Sequence, residues 1–245
     1  MKQIVVIAGG LATRLYPITK TIPKSMVPVA GKPFLAHQLD LFKLNDIEEV
    51  VLCVGHLSEQ IVEYFGDGQK FGIKIQYSQE PERLDTGGPL KNSYPLLDNE
   101  FFIIYGDAFL LADYQKIAEF YHQQKKSGLM TVYRNNNQIE PSRVLVDGPY
   151  IKKYQKEPPP PRAQHMEWGL NILRKKMIPK VPEKIFPISH YFDLLSPQKE
   201  LLAYRVKQRF FEMGSMKGLE EVNNLLSQYK IEKLLSKIKE GEMVL

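Results

Sequence analysis

Short apolar segments alternate with amphipathic segments through the first 105 residues of the chain. The apolar segments are rich in β-branched residues, which predicts buried strands that run parallel to one another. Between them lie two segments with apolar residues at helical spacing, one following Pro33 and one ending at Gly66. Pro33 is expected at the first position of its helix, where a missing N–H is tolerated. The predicted strands are 4–8, 50–54, 73–77 and 101–105.

After residue 107 the apolar segments become shorter. Residues 113–125 have the spacing of a helix, and a run of prolines at 158–161 indicates a loop. The alternation of strands and helices predicts an α/β protein whose sheet has helices on both faces. The second half is expected to extend that sheet with mixed or antiparallel strands. Its predicted strands are 129–133, 144–146, 151–154 and 170–173.

The last part of the chain is predicted to be helical, at 218–226 and again from residue 231. In the second segment, four apolar residues form one stripe among lysines. The stripe indicates packing on the body of the protein or on a second subunit. A homo-oligomer is therefore one of the expected alternatives. A membrane surface is disfavoured because the stripe contains no Trp or Phe, and no apolar run approaches the ~18 residues of a membrane span. The stripe consists of Ile231, Leu234, Leu235 and Ile238.

Composition sets bounds on size and partners. A chain of 245 residues with 43% hydrophobic and 25% charged side chains fits one large domain or two packed lobes. The net charge of +5 suits small anionic substrates. Nucleic acid is not an expected partner, because the sequence has no basic stripe with interleaved aromatics. Cys53 is the only cysteine and the histidines lack zinc-ligand spacing. Without a signal-peptide pattern, the expected location is the cytoplasm.

The segment after the first predicted strand carries the most specific chemistry. Gly9 and Gly10 leave room for backbone N–H groups to approach phosphate oxygens, and Arg14 and Lys24 supply cations. Because the segment follows a strand, it lies at the edge where open α/β sheets bind ligands. It is not a G-x-x-x-x-G-K-[ST] loop, and it lacks the later glycines of G-x-G-x-x-G. The segment therefore indicates a triphosphate site of another kind.

This segment resembles the signature of the sugar nucleotidyltransferases, the NDP-sugar pyrophosphorylases. Gly-Gly-Leu-Ala-Thr-Arg-Leu at 9–15 is followed by Pro-Lys-Ser-Met-Val-Pro-Val at 23–29 and Gly-Lys-Pro at 31–33. The resemblance covers about residues 1–226. It implies an α/β, Rossmann-like three-layer α/β/α nucleotidyltransferase fold with a mixed, mostly parallel central sheet.

The same resemblance implies a division of the chain. A catalytic domain would occupy 1–227, ahead of a C-terminal amphipathic helix at 228–245. Within the catalytic domain, residues 1–110 would form the nucleotide-binding lobe and residues 111–227 the sugar and metal lobe.

Further motifs imply the residues of the site. Leu-Asp-Thr-Gly-Gly at 84–88 resembles the family's turn beside the base, where the glycines would let backbone approach that base. The implied nucleotide-binding residues are Ala8, Gly9, Gly10, Leu11, Ala12, Thr13, Asp85, Thr86, Gly87 and Gly88. Tyr-Gln-Lys at 154–156 and Glu-Trp-Gly-Leu at 167–170 resemble the sugar-binding segments. The implied sugar-phosphate residues are Lys156, Glu167, Trp168, Gly169 and Asn171.

Two carboxylates are implied as ligands of Mg²⁺, the expected cofactor. They are Asp107, in a Gly-Asp strand end, and Glu212, at a position where the family more often has Asp. The implied reaction is an in-line attack of a sugar 1-phosphate oxygen on the α-phosphorus of a nucleoside triphosphate. Arg14 would hold the β- and γ-phosphates and Lys24 would neutralise the α-phosphate, so catalysis is expected to be positioning and charge neutralisation.

The short form of the chain resembles heptose 1-phosphate guanylyltransferases and N-acetylmuramate 1-phosphate uridylyltransferases. It favours GTP with a heptose or mannose 1-phosphate. The alternative is a uridylyl- or thymidylyltransferase that acts on N-acetylmuramate or glucose 1-phosphate. A catalytically silent nucleotide-sugar-binding subunit is disfavoured because Arg14, Lys24 and Asp107 are all present. A glycosyltransferase is disfavoured because it would lack the segment from Arg14 to Lys24.

Overall fold

A computed structural model describes residues 1–10 and 12–242. Strands and helices alternate along these residues. The strands are β1 (Gln3–Ile7), β2 (Pro28–Val29), β3 (Lys32–Pro33), β4 (Glu49–Val54), β5 (Lys74–Gln79), β6 (Glu100–Tyr105), β7 (Ala108–Phe109), β8 (Gly128–Arg134), β9 (Val144–Asp147), β10 (Tyr150–Tyr154), β11 (His165–Arg174), β12 (Leu201–Val206) and β13 (Phe211–Glu212). The α-helices are α1 (Phe34–Leu44), α2 (Ser58–Phe65), α3 (Gly88–Asn92), α4 (Tyr114–Gln124), α5 (Ser189–Leu195), α6 (Met216–Gln228) and α7 (Ile231–Lys239).

The central sheet has nine strands in the order β5-β4-β1-β6-β11-β8-β12-β10-β9. Strands β5, β4, β1 and β6 pair in parallel. Strand β11 pairs antiparallel with both β6 and β8, while β8 and β12 are parallel. Strands β10 and β11 therefore run opposite to the rest, and the prediction of a mixed, mostly parallel sheet is confirmed.

The two faces of the sheet bury separate apolar clusters, because successive side chains of a strand point to opposite faces. In β1, Ile4 and Val6 pack on the face covered by α1, α2 and α4, while Val5 packs on the face covered by α3 and α5. This arrangement is a three-layer α/β/α sandwich, as predicted.

A third apolar cluster lies beyond the sheet and joins the C-terminal helices to earlier parts of the chain. It brings together α6, α7, residues of α1, the β2–β3 hairpin and the β7–β13 pair. All four residues of the predicted C-terminal stripe are buried in it. Of the two predicted alternatives, the body of the protein or a second subunit, the structure shows that α7 packs on the body.

The order of the parallel strands creates one crevice. From β1 the chain moves to β4 and β5 on one side, and then to β6 on the other side of β1. Ligands of open α/β sheets bind at such a reversal, outside the carboxyl ends of the strands. The loop after β1, Glu80 after β5 and Asp107 after β6 all lie at this edge.

The structure corrects some local predictions. Pro33 precedes α1 as its N-cap, rather than occupying the first helical position, because residues 32–33 pair with β2. Strand β12 and helices α3 and α5 were not predicted. Strand β12 alternates weakly between apolar and polar residues, and its place is fixed by pairing with β8 and β10. Among the described residues, no helix has the length and apolar character needed to cross a membrane.

Candidate active site

A cavity of about 200 Å³ opens at the crevice beside β1, and we call it the loop cavity. Four of the predicted nucleotide-binding residues after β1 line it, namely Ala8, Gly9, Gly10 and Ala12. Thr13 is exposed and begins a 3-10 turn next to Ala12, and Leu11 lies outside the described residues. The remaining lining residues are Ile7, Lys24, Ser25, Glu80, Arg83, Asp85, Thr86, Tyr105, Gly106 and Asp107.

One end of the loop cavity concentrates charge. Lys24 Nζ donates to Asp107 Oδ2 at 2.5 Å, and both side chains are largely buried. Arg14 lies close by, because a methyl group added at Gly214 would be 2.7 Å from Arg14 Nη2 and 3.2 Å from Lys24 Nζ. The structure therefore brings both predicted cations and one predicted carboxylate to a single corner.

Glu212 joins the same corner through strand pairing. In the β7–β13 pair, Glu212 lies opposite Ala108, and the Met213 N–H donates to the Asp107 carbonyl at 2.8 Å. The Glu212 carboxylate accepts from the Ser215 hydroxyl at 2.9 Å and from the Gly214 N–H. Asp107 and Glu212 are thus neighbours although 105 positions separate them in the sequence.

The oxygen ligands at this corner fit a hard cation that takes its remaining ligands from water and substrate. Among the described residues, no group of three or more His, Cys, Asp or Glu side chains could hold a metal ion. Asp107 and Glu212 provide two carboxylates, and Mg²⁺ commonly takes one or two carboxylates and completes its shell with water and phosphate oxygens. The predicted ligands therefore suit an ion that arrives with a phosphate ligand.

Glu80 also lines the loop cavity, and no motif in the sequence identified it. Its carboxylate rests against Gly9, where a side chain of any size would collide with it. Burial raises the pKa of the Glu80 carboxyl, while the Leu84 N–H, which donates to Oε2 at 3.3 Å, acts against that rise. Within the described part of the chain, buried Glu80 Oε1 has no hydrogen-bond partner.

The turn at 85–88 divides into two parts. Asp85, with φ of 62°, and Thr86 line the loop cavity. The two glycines that follow instead pack against the segment around Phe186, and Gly87 N–H donates to the Phe186 carbonyl at 2.8 Å. Glycine is required at both places because a side chain would collide with this segment.

A second cavity, of about 170 Å³, adjoins the first, and we call it the tyrosine cavity. It shares Thr86 and Tyr105 with the loop cavity. Two predicted sugar-phosphate residues, Lys156 and Glu167, line it. Its other lining residues are Glu140, Arg143, Tyr154 and Met166. The two cavities therefore meet at a common wall.

Glu167 is held in place by a local distortion of β11. Between Glu167 and Asn171 the register against β8 shifts at a bulge that contains Gly169, whose φ is 107°. Asn171 Nδ2 donates to Glu167 Oε1 at 2.7 Å, and the Tyr105 hydroxyl donates to the same oxygen at 3.0 Å. Burial raises the pKa of the Glu167 carboxyl against the effect of these bonds.

The remaining predicted sugar residues occupy different surroundings. Trp168 is 2% exposed and packs in the apolar cluster on the α1 side of the sheet, outside the tyrosine cavity. Asn171 is fully buried behind Glu167 and acts on the cavity through that carboxylate. Lys156, which lines the cavity together with Glu167, is exposed at its rim.

A family model described as nucleotidyl transferase matches residues 3–142. Similar curated proteins include D-glycero-alpha-D-manno-heptose 1-phosphate guanylyltransferase of Campylobacter jejuni, 44% identical over 47% of this chain and 52% of that protein. Another is UTP–glucose-1-phosphate uridylyltransferase of Synechocystis, 29% identical over 74% of this chain and 51% of that protein. The chain spans about half the length of these curated relatives.

Solved structures share the fold over nearly their whole length. HddC from Yersinia pseudotuberculosis has a TM-score of 0.77 at 24% identity, covering 92% of this chain and 100% of that one. A putative glucose-1-phosphate thymidylyltransferase from Bacillus anthracis has a TM-score of 0.83 at 20% identity, covering 95% and 99%. At these identities the likeness establishes the fold.

Proposed function

Because the chain belongs to the nucleotidyl transferase family, we propose that it transfers a nucleotidyl group to a sugar 1-phosphate and releases pyrophosphate. The observation that carries this proposal is the pair of cavities that share Thr86 and Tyr105. One cavity ends at a corner of cations and carboxylates, and the other is lined by tyrosines and a buried carboxylate. A nucleotide and a phosphorylated sugar would occupy them and meet at the shared wall.

In the proposed reaction, a phosphate oxygen of the sugar 1-phosphate bonds to the α-phosphorus, and the bond from that phosphorus to the bridging oxygen breaks. The electron pair leaves with pyrophosphate. The attacking oxygen is already anionic near neutral pH, so the residues need not remove a proton. Arg14 would hold the β- and γ-phosphates through its planar fork, and Lys24 would neutralise the α-phosphate. Lys156 would bind the sugar phosphate from the rim of the tyrosine cavity.

Asp107 and Glu212 would hold Mg²⁺ at the charged corner. The ion would supply charge neutralisation for the phosphates and a template for in-line geometry. Lys24 would then exchange its present contact with Asp107 for one with the α-phosphate, since one ammonium group cannot neutralise both fully.

GTP is the proposed nucleotide, supported by the position of Glu80. Glu80 follows β5 and Asp107 follows β6, three strand spacings or about 14 Å apart in the sheet. With phosphates at the Asp107 corner, the base would lie toward Glu80. A carboxylate accepts from both the N1–H and the N2–H of guanine, whereas the carbonyl oxygens of uracil and thymine would face it unfavourably.

A heptose or mannose 1-phosphate is the proposed second substrate. This choice is supported by the names of similar curated proteins, which include a heptose 1-phosphate guanylyltransferase and a mannose-1-phosphate guanylyltransferase. The alternative is a uridylyl- or thymidylyltransferase that uses N-acetylmuramate or glucose 1-phosphate. The proposed location is the cytoplasm, where nucleoside triphosphates are made. Light scattering of the intact protein would measure whether it is a monomer or a homo-oligomer.

The test is pyrophosphate release with Mg²⁺ across GTP, UTP, dTTP, CTP and ATP, each against a panel of sugar 1-phosphates. We expect release of pyrophosphate with GTP and a manno-configured sugar, and loss of that release with EDTA.

Arg14→Ala and Asp107→Asn should each lower turnover roughly 10²-fold or more, as removal of one preorganised electrostatic contact does. Turnover of both variants within about threefold of wild type would contradict the assigned roles.

A further inference from the structure

The tyrosine cavity has one end near the loop cavity and another end far from it. Its near end is the wall of Thr86 and Tyr105 that it shares with the loop cavity. Its far end is marked by Glu140, which also lines an outer cleft of about 630 Å³ beside Ile139, Pro159 and Arg162. A sugar whose 1-phosphate points to the nucleotide would therefore direct the opposite side of its ring, and any extension of it, toward Glu140.

At this far end Glu140 pairs with Arg143, a residue that lines the same cavity. Arg143 Nη1 donates to Glu140 Oε2 at 3.1 Å. Within the described residues, buried Arg143 Nε has no hydrogen-bond partner. The pair thus presents an acceptor and a set of donors side by side, which is what a hydroxyl group needs, since it donates one hydrogen bond and accepts others.

The pair is preorganised by backbone contacts. The Arg143 N–H donates to the His165 carbonyl at 2.9 Å, and the Arg143 carbonyl accepts from the Gln155 N–H at 3.1 Å. The loop that carries Glu140 is closed by Asn135, which accepts from the Ile139 N–H at 2.9 Å and donates to the Glu140 carbonyl. Asn135 is buried, so the position of the loop is fixed from within the protein.

Charge indicates that the ligand at this end is neutral. The Arg143 guanidinium already faces two carboxylates, Glu140 at 3.1 Å and Glu157 at 3.9 Å. A sugar that carries its own carboxylate would meet Glu140 in the cavity, while the exposed Glu157 adds negative charge on the far side of Arg143, and like charges at close range oppose binding. A hydroxyl-bearing side chain meets no such repulsion.

We propose that Arg143 and Glu140 are specificity-determining residues that bind the hydroxylated side chain of a neutral sugar 1-phosphate. This inference rests on the proposed function and deepens it. It places the side chain on the fifth carbon of the ring, which in a heptose carries hydroxyl groups on the sixth and seventh carbons, at the far end of the tyrosine cavity. It also disfavours an acidic sugar such as N-acetylmuramate as the second substrate.

The test compares two substrates that differ in one carbon, D-glycero-D-manno-heptose 1-phosphate and D-mannose 1-phosphate. Wild type, Arg143→Gln and Glu140→Gln are assayed for kcat/KM with GTP and Mg²⁺. We expect each variant to lose roughly tenfold or more on the heptose, the size expected for a hydrogen bond to a charged group, and less than about threefold on mannose. Retained mannose turnover also shows that the variant is folded.

Glu157→Gln is the matched control. Glu157 is the second carboxylate near Arg143, but it is 76% exposed and does not line the tyrosine cavity. Its substitution should leave the heptose-to-mannose ratio unchanged. A ratio that is unchanged in Arg143→Gln and Glu140→Gln, or one that changes equally in Glu157→Gln, would overturn the inference.

A measurement on the wild-type protein needs no variant. A fixed donor–acceptor pair distinguishes the orientation of a hydroxyl, so the D-glycero heptose should be used about tenfold better than its L-glycero epimer. Equal use of the epimers, or faster turnover of N-acetylmuramate 1-phosphate, would overturn the inference while leaving the proposed reaction intact. Turnover of no sugar 1-phosphate with any nucleotide would instead overturn the proposed function, and the inference with it.

Discussion

Single residues of this site carry carboxyl groups that the fold shields from water. Glu80 illustrates this at the loop cavity, where burial raises the pKa of its carboxyl and leaves Oε1 unpartnered among the described residues. A ligand with two donors would satisfy that carboxylate, and guanine provides them. The residue most responsible for the choice of base is therefore expected to be one that no motif in the sequence singled out.

Glu80→Gln is expected to lower kcat/KM for GTP roughly tenfold or more, because one carboxylate oxygen becomes an amide donor that faces guanine donors. The same change should maintain or improve use of UTP, since the amide matches the donor and acceptor of uracil. Steady-state kinetics with both nucleotides measure the ratio. Glu82→Gln is the control, because Glu82 is exposed and pairs with Lys184. An unchanged ratio in Glu80→Gln would refute base selection by this residue.

Glu167 provides a test of stability against function. Burial raises the pKa of its carboxyl in the folded protein above the ordinary value, so its charge opposes folding near neutral pH. We expect Glu167→Gln to raise the Tm at pH 7, which thermal unfolding measures, and to lower turnover. As the pH falls from the raised pKa of the folded state to the ordinary pKa of the unfolded state, the folded wild type is protonated first and loses the buried charge. The Tm difference between Glu167→Gln and wild type should therefore vanish. A difference that does not depend on pH would contradict this account.

At the scale of elements, short pairings bring the proposed catalytic groups together. The β7–β13 pair carries Glu212 to Asp107, and the turn from β13 into α6 places Gly214 beside Arg14 and Lys24. The helix behind this turn packs with α7 in the third apolar cluster. The C-terminal helices therefore support the corner that is proposed to hold the metal and the phosphates.

Gly214→Ala tests this arrangement. The added methyl group would lie 2.7 Å from Arg14 Nη2 and closer still to the Glu212 carboxylate, so both side chains must shift. Because small displacements of positioning groups are costly to rate, we expect kcat to fall roughly 10²-fold. The Tm should change by only a few degrees, since the groups that move are side-chain ends. Thermal unfolding and pyrophosphate release measure the two effects, and wild-type turnover in this variant would contradict the proposed corner.

At the scale of the whole molecule, one sheet carries both cavities. Strands β1 and β6 and the segments that follow β1, β5 and β6 line the loop cavity, while β11, β10 and the loop before β9 line most of the tyrosine cavity. A ligand that binds only the folded protein stabilises the whole chain by mass action. The division into lobes at 1–110 and 111–227 stays a prediction.

We expect GTP with Mg²⁺ at about 100 times its Kd to raise the Tm by roughly 5–10 °C, the equivalent of about 2.7 kcal/mol. UTP at the same concentration should give a smaller shift, and Asp107→Asn should reduce the shift with GTP. Differential scanning fluorimetry measures all three. Equal shifts for every triphosphate would count against selection of the base, and no shift for any would count against nucleotide binding.

The sequence by itself determined the parallel strands β1, β4, β5 and β6, the loop with Arg14 and Lys24, and the motifs by which the family is identified. These features depend on neighbours in the chain, whose periodicity and turn chemistry are visible in any short window. Asp107 and Glu212 were also named from motifs, although their proximity was not visible in the sequence.

Only the tertiary structure decided which side chains face the cavities. Glu80 rests against Gly9, Glu167 accepts from Tyr105, and Trp168 points into the opposite core. These contacts join residues far apart in the chain, and strand order together with the bulge at Gly169 sets them. A one-residue change of register moves a side chain to the other face of a sheet, so motif membership alone could not assign Glu167 and Trp168 to their different surroundings.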